Sequence, residues 1–413
     1  MSDNPSRSDP AYANVAVVAT VPEPWGGMWL SRQQILTRLA RWFHVIWVNP
    51  AEEWRRLWPR RENRVIGLRD PASPPANLHV ERQSRLHPRV YQPSWLADRL
   101  RNARIDRAAR HVNRLGCTKT VLYTWRPEHI QWVDRLKPDA TCYHIADEYS
   151  FSAVEHPIPA LERDMIERAD DVFIHSPGLM EKKGRINPNT MFVTNGVDYE
   201  RFADPCPEPR ELRSIPHPRV GYVGRMKTQI DWDVLGRLAE ELPDVSLVLV
   251  GPVGYLGDDA GAMRQLASRA NVYVIGAQPA HAVPAFMQHL DAGLMPYRVN
   301  DYTKYIYPLK LHEFLASGTP VVCAPIRSLI DFRGVAIVAD DRSAWAQSVS
   351  MALDPLQRED DRVAARQSVA REFDWNRITE KIAERIIRRL ALDTEHQRFG
   401  VAAPPGPHEV RSL

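Results

Sequence analysis

The stretch YIYPLKLHEFLASGTPVVCAPI, Tyr305–Ile326, sets a lysine and a glutamate three residues apart just after a proline. Pro308 suits the first position of a helix. Leu309, Phe314 and Leu315 give that helix an apolar stripe, and Gly318 with Pro320 closes it before the apolar run VVCA. Lys310 then falls in the first turn, where free N–H groups and a partial positive charge already lie. A lysine there calls for an anion. Glu313 can supply it, as a surface pair worth about 0.2–0.5 kcal/mol. Alternatively a phosphate does so, and Glu313 is left to hold ribose hydroxyls.

Other candidates stand where strands are expected to end. In VGYVGRMK, Gly224 permits close backbone approach, and Arg225 can grip a phosphate through two nitrogens. YHIADEYS ends a strand with His144, Asp147 and Glu148, three groups suited to acid–base work, although an aspartate there can also simply cap a turn. LVGPVGYLGDD spaces Gly251, Gly254 and Gly257 as GxxGxxG. That is not the dinucleotide GxGxxG, and no acidic residue ends a following strand at the required distance, which argues against a nicotinamide enzyme. Asp231 and Asp233 in DWD imitate a metal-binding pair but open a helix, where aspartates need no metal. The 14 histidines include no HExxH, and no Walker A, nucleophile-elbow or kinase signature is present.

These residues need a scaffold with strand ends at one edge. Val15–Thr20 reads as a buried strand, Pro22–Gly27 as a loop, Ser31–Trp42 as a helix and His44–Asn49 as a second strand. Such a unit predicts a parallel sheet, with Gly26 and Gly27 at its ligand-binding edge. Thr120–Trp125 and Thr141–Ala146 continue the alternation. The proline-rich Asp204–Arg219 lacks periodicity and reads as a linker. The pattern restarts at Val220–Gly224, and Phe373–His396 reads as one long amphipathic helix. The class is α/β, with two doubly wound domains facing each other over 1–205 and 206–375, and a tail at 397–413 expected to be disordered.

Length and composition agree. A chain of 413 residues, 44% hydrophobic and 25% charged, can build two ordinary cores. No apolar run approaches the roughly 20 residues needed to span a bilayer. The polar MSDNPSRSDPAYAN does not read as a signal peptide, and four scattered cysteines read as reduced thiols. From Glu52 to Arg114 there are 15 Lys/Arg against 7 Asp/Glu, a local charge of +8, so the rest of the chain carries −5. Trp54 and Trp58 sit among these arginines. The combination suits an anionic membrane surface or nucleic acid, or is merely a solvated face.

The motifs VGYVGRMK, LVLVGP, YPLKLHEFLASGTPVV and TNGVDYERF resemble those of the GT-B glycosyltransferases, over residues 14–395. The resemblance implies two facing Rossmann-like domains, with a last helix at 376–396 that returns to the first domain. It also implies a nucleoside diphosphate sugar as donor, UDP-linked, with no metal or other cofactor. The donor would bind at Gly224, Arg225, Met226, Tyr297, Lys310, Leu311 and Glu313. The sequence departs from the common retaining members, because Tyr305 stands where they have a first glutamate and the lysine expected at about Ile230 is not at that position.

YHIADEYS, VGRM, MPY and LKLHE are similar to the membrane-associated glucuronosyltransferase of xanthan assembly, an inverting enzyme, although Ala277 replaces an acidic donor-site residue. PWGGMW and QQIL look like transferases of teichuronic-acid and exopolysaccharide clusters. By these likenesses Asp147 is the expected catalytic base and Lys310 assists the leaving group. His144 and Glu148 would lie on the acceptor side, and Gly26 and Gly27 would line the cleft. The acceptor would be a lipid-linked oligosaccharide or polysaccharide. The enzyme would be cytoplasmic, held on the inner face of the cytoplasmic membrane by Trp54, Trp58 and the Arg-rich 52–114, with no nucleic acid as partner. A sugar-nucleotide epimerase of the same fold, or a non-catalytic partner in polysaccharide assembly, is the alternative.

Overall fold

A computed structural model of the chain describes residues 9–26, 29–51, 73–81, 88–148 and 156–392. The first sheet contains β1 (Val15–Thr20), β2 (His44–Val48), β3 (Leu78–Glu81), β4 (Lys119–Thr124), β5 (Ala140–Ile145), β6 (Asp171–Ile174) and β7 (Thr190–Phe192). Its helices are α1 (Ser31–Leu39), α2 (Ser94–Arg114), α3 (Ile130–Leu136), α4 (Ala160–Arg168) and α5 (Pro177–Lys183). After α6 (Tyr199–Ala203), the second sheet is built from β8 (Arg219–Val223), β9 (Ser246–Val250), β10 (Val272–Gly276), β11 (Ala292–Met295), β12 (Val321–Cys323) and β13 (Ile337–Val338). Its helices are α7 (Trp232–Glu241), α8 (Ala260–Ala267), α9 (Val283–Gln288), α10 (Lys310–Ala316), α11 (Trp345–Ala352) and α12 (Asp360–Glu372). The chain then forms α13 (Trp375–Arg389).

Every strand pair in both sheets is parallel. The orders are β3-β2-β1-β4-β5-β6-β7 and β10-β9-β8-β11-β12-β13. Each order reverses once, between β1 and β4 and between β8 and β11. Those reversals open the crevices where such sheets bind ligands. Helices cover both faces, so β1, β5, β8 and β9 are buried along their whole length. That is why β1 and β9 read in the sequence as near-continuous apolar runs.

α13 completes the first domain. Ile378, Ile382, Ala383, Ile386 and Ile387 pack with Ile35, Leu36 and Leu39 of α1 and with Val17 and Val45. Arg385 and Arg389 reach the buried Asp171 at 2.5 and 3.0 Å, and Arg38 of α1 donates to Asn376 at 3.1 Å. This helix is shorter than Phe373–His396. Asp374 caps its start by accepting from the Asn376 amide at 2.7 Å, and the left-handed Ala391 lies just past its end. Residues 393–413, with the expected tail, lie outside the described residues.

Three further expectations are corrected. The first helix stops at Leu39 rather than Trp42, because Ala40–Phe43 turn back into β2 through bonds to the Leu36, Arg38 and Leu39 carbonyls. Pro308 is not the first helical residue, since α10 begins at Lys310 with Leu309 as its cap. The stretch 204–219 is no free linker. Leu212 and Ile215 are buried in the second core, and Arg219 binds Glu208 at 2.6 Å. Val197 and Phe202, before that stretch, already belong to the same core.

Candidate active site

The donor-side residues gather where β8 and β11 end. Gly224 donates to the Val250 carbonyl at 2.8 Å, and the Tyr222 hydroxyl donates to the Arg225 carbonyl at 3.1 Å, so the turn after β8 is held from both sides. Gly251 has φ +138, and a Cβ there would overlap the Gly224 carbonyl. This explains one glycine of the GxxGxxG run: two loop backbones touch, and no dinucleotide is needed. Tyr297 follows β11 and pairs in antiparallel fashion with Ile230. Burial keeps its hydroxyl protonated, reinforced by Tyr222 and then by the charge of Glu313.

Lys310 and Glu313 pair at 2.6 Å, both partly buried. The anion that the lysine called for is therefore present within the chain. Tyr297, Lys310 and Glu313 lie near one another in the second domain, and the Arg225 side chain lies against Gly254. Met226 and Leu311 do not join them. Both side chains are fully buried in the second core, and the Met226 amide and carbonyl are already bonded to Pro252 and Gly254.

Of the three groups at the end of β5, Asp147 alone is set among charges from both domains. Burial raises its pKa above the ordinary carboxylate value. Arg32, Lys227 and Arg126 oppose that rise, and Glu23 adds to it. Arg32 is tied to Glu23 at 2.8 Å and Arg126 to Glu128 at 3.0 Å. Lys227 has its pKa lowered by burial and by Arg225, with Asp147 pulling the other way. Tyr302 is pushed up to about 12 by burial and then by Asp147. Lys227 and Tyr302 of the second domain thus feel the charge of Asp147 in the first.

His144 and Glu148, expected on the acceptor side, are both engaged within the first domain. His144 is buried, bonded to the Tyr123 hydroxyl at 2.9 Å and stacked on Trp125, and burial holds it neutral. Glu148 is turned toward α5, where Lys183 and Lys182 lie at 3.2 and 3.4 Å. Tyr305 is inserted into the first domain. Gly26, with φ +86, is exposed in the loop beyond β1. Gly27, Trp54 and Trp58 lie outside the described residues.

Sequence reading passed over Arg32, Lys227 and Tyr302. Lys227 could have been found from its place directly after VGRM. Arg32 and Tyr302 carry no local signal, because tertiary packing brings them in. Asp231 is a helix cap, accepting from the Val234 amide at 3.3 Å and pairing with Arg342 at 2.7 Å. Among the described residues no cluster of His, Cys, Asp and Glu is arranged to hold a metal ion.

Two facing parallel α/β domains, with a last helix returning to the first, define the GT-B fold of the glycosyltransferases. Residues 217–354, within the second domain, match the family described as glycosyl transferases group 1. A stretch of 173 residues is 34% identical to TuaH of Bacillus subtilis, described as a teichuronic acid biosynthesis glycosyltransferase. It spans 40% of this chain and 43% of that protein's length. Among solved structures, HepE of Anabaena in complex with UDP superposes with a TM-score of 0.65 at 15% identity, covering 90% of this chain and 99% of that one. Sucrose-phosphate synthase of Thermosynechococcus elongatus gives 0.63 at 15% identity, covering 94% and 100%.

Proposed function

We propose that the protein transfers a sugar from a nucleoside diphosphate sugar, UDP-linked, to a hydroxyl of a lipid-linked or polysaccharide acceptor. The observation that carries this reading is Asp147, a carboxylate at the end of β5 whose pKa is raised by burial while Arg32 and Arg126 of the first domain and Lys227 of the second act on it, with Tyr297, Lys310 and Glu313 near one another in the second domain. Glu313 would bind the ribose. Arg225, Lys227 and Lys310 would take up the charge of the departing diphosphate, so the chain's own cations would do the work of a metal. Asp147 would remove the proton of the acceptor hydroxyl as it attacks the anomeric carbon. The binding of UDP by HepE and the part of TuaH in teichuronic acid biosynthesis support this donor and a cell-envelope acceptor.

Calorimetric titration with UDP, GDP, TDP and ADP tests the donor site. One nucleotide is expected to bind at micromolar strength, and Lys310→Ala and Glu313→Ala are each expected to lose at least about tenfold, or ~1.4 kcal/mol. Absence of binding at millimolar nucleotide would sink the donor assignment.

The acceptor would be met at the cytoplasmic face of the membrane. No described helix is long and apolar enough to cross a bilayer. Within the described part of the Arg-rich 52–114, Trp95 is 64% exposed at the start of α2, and the Arg89 guanidinium lies 5.1 Å over the Tyr91 ring. Aromatic and basic groups on one surface suit anionic headgroups. Flotation with vesicles containing phosphatidylglycerol should retain the protein at low salt and release it at high salt. At about 1 kcal/mol per arginine, Arg99→Ser should weaken retention roughly fivefold. Equal retention on neutral vesicles would overturn the membrane assignment.

A further inference from the structure

The domains also meet through residues 298–309, a strap leaving β11 for the first domain. Its turn is stapled locally. The Asn300 side chain accepts from the Tyr302 and Thr303 amides at 3.1 and 2.9 Å, and the Thr303 hydroxyl donates to the Arg298 carbonyl at 2.5 Å. Tyr305 then enters the other domain. Only 2% exposed, it packs in one cluster with Ile130, Tyr143, Ile145, Met165 and Leu179. The Lys182 ammonium lies 5.1 Å from its ring centroid and 3.4 Å from Glu148, the neighbour of Asp147.

Gly178 of α5 forms the seat. A Cβ on it would stand 3.2 Å from the Tyr305 ring and would overlap the Lys304 carbonyl. Both ends of the strap lead to the site. The Tyr305 amide bonds to the carbonyl of Tyr302, whose phenol is within electrostatic reach of Asp147. Tyr307 bonds His312 of α10 at 2.9 Å, and its carbonyl accepts from Asn195 of the first domain at 2.7 Å. α10 carries Lys310 and Glu313.

We propose that Tyr305, seated against Gly178, is a positioning residue that fixes the second domain's Tyr302, Lys310 and Glu313 opposite Asp147. This rests on the sugar-transfer reading, under which the reacting groups come from different domains. A displacement of about 1 Å between such groups can cost on the order of 100-fold in rate. The residue touches no substrate itself, so its effect should fall on turnover rather than on nucleotide affinity.

Full-length Tyr305→Ala, Gly178→Val and Tyr305→Phe provide the test. Tyr305→Ala empties the seat, Gly178→Val blocks it from the other domain, and Tyr305→Phe keeps the packing. The first two are expected to lower kcat by about 10–100-fold, with donor KM and UDP affinity within about threefold of wild type. Amide exchange should accelerate at residues 298–306 and not at β8 or β9. Tyr305→Phe should restore both rate and protection.

Unchanged exchange in both disruptive variants would overturn the proposal. So would a loss of UDP affinity parallel to the loss in rate. If wild-type protein binds no nucleotide, the sugar-transfer reading fails, and the exchange measurement alone still decides whether Tyr305 joins the domains.

Discussion

Asp147→Asn is expected to lower sugar transfer by about 10²–10⁴-fold while leaving nucleotide affinity within about threefold. The amide keeps the shape and removes the ability to take a proton. The acid limb of kcat/KM should lie above the ordinary carboxylate value of 3.8, because burial raises this pKa against the pull of Arg32, Lys227 and Arg126. That limb should vanish in the variant. Stability should move the other way. A carboxyl whose pKa is raised by folding stabilises the fold below its unfolded pKa, and the contribution is lost as pH rises through the folded value. Above that folded value the contribution is gone while the burial cost remains, so the asparagine variant should melt no lower there. A variant that melts earlier and loses nucleotide binding together with its rate would make Asp147 a structural residue.

Lys183→Ala is expected to destabilise the first domain by about 3–5 kcal/mol, because it leaves the buried Glu162 without its cation. Lys183 is fully buried, 2.7 Å from Glu162 and 3.2 Å from Glu148. Burial already pushes the Glu162 pKa up, and the lysine works against that shift. Urea unfolding followed by tryptophan fluorescence should show an early transition for the first domain. Lys183→Met combined with Glu162→Gln, which removes charge from both partners, should recover much of the loss. If the single variant unfolds at the wild-type urea concentration, the triad is not holding the end of β5 in place.

The sheets were legible because parallel strands covered on both faces must be apolar throughout, as in VAVVAT and SLVLV. α2 was not legible, since its buried Ile105, Ala108 and Val112 are scattered among arginines. Helix ends depended on single caps such as Asp374, whose effect needs the backbone. At the site, the sequence indicated the end of β5 but not which side chain would face the cleft. His144 was claimed by the Tyr123 and Trp125 stack and Glu148 by the lysines of α5. For Lys310 and Glu313, the sequence offered a mutual pair or a ligand site. The pair is formed, beside Tyr297 at the sheet edge, so a diphosphate would have to compete for the lysine.

α13 has a consequence for synthesis. Its isoleucines cover the α1 face of the first domain, yet they are translated after the whole second domain. At the usual 5–20 residues per second, roughly 10–35 s separate the two. For that interval the nascent first domain has its sheet and α1 but lacks the cover over Ile35, Leu36 and Leu39. The order of folding is thereby inverted: the second domain can close on its own core while the first waits for the last helix to leave the ribosome.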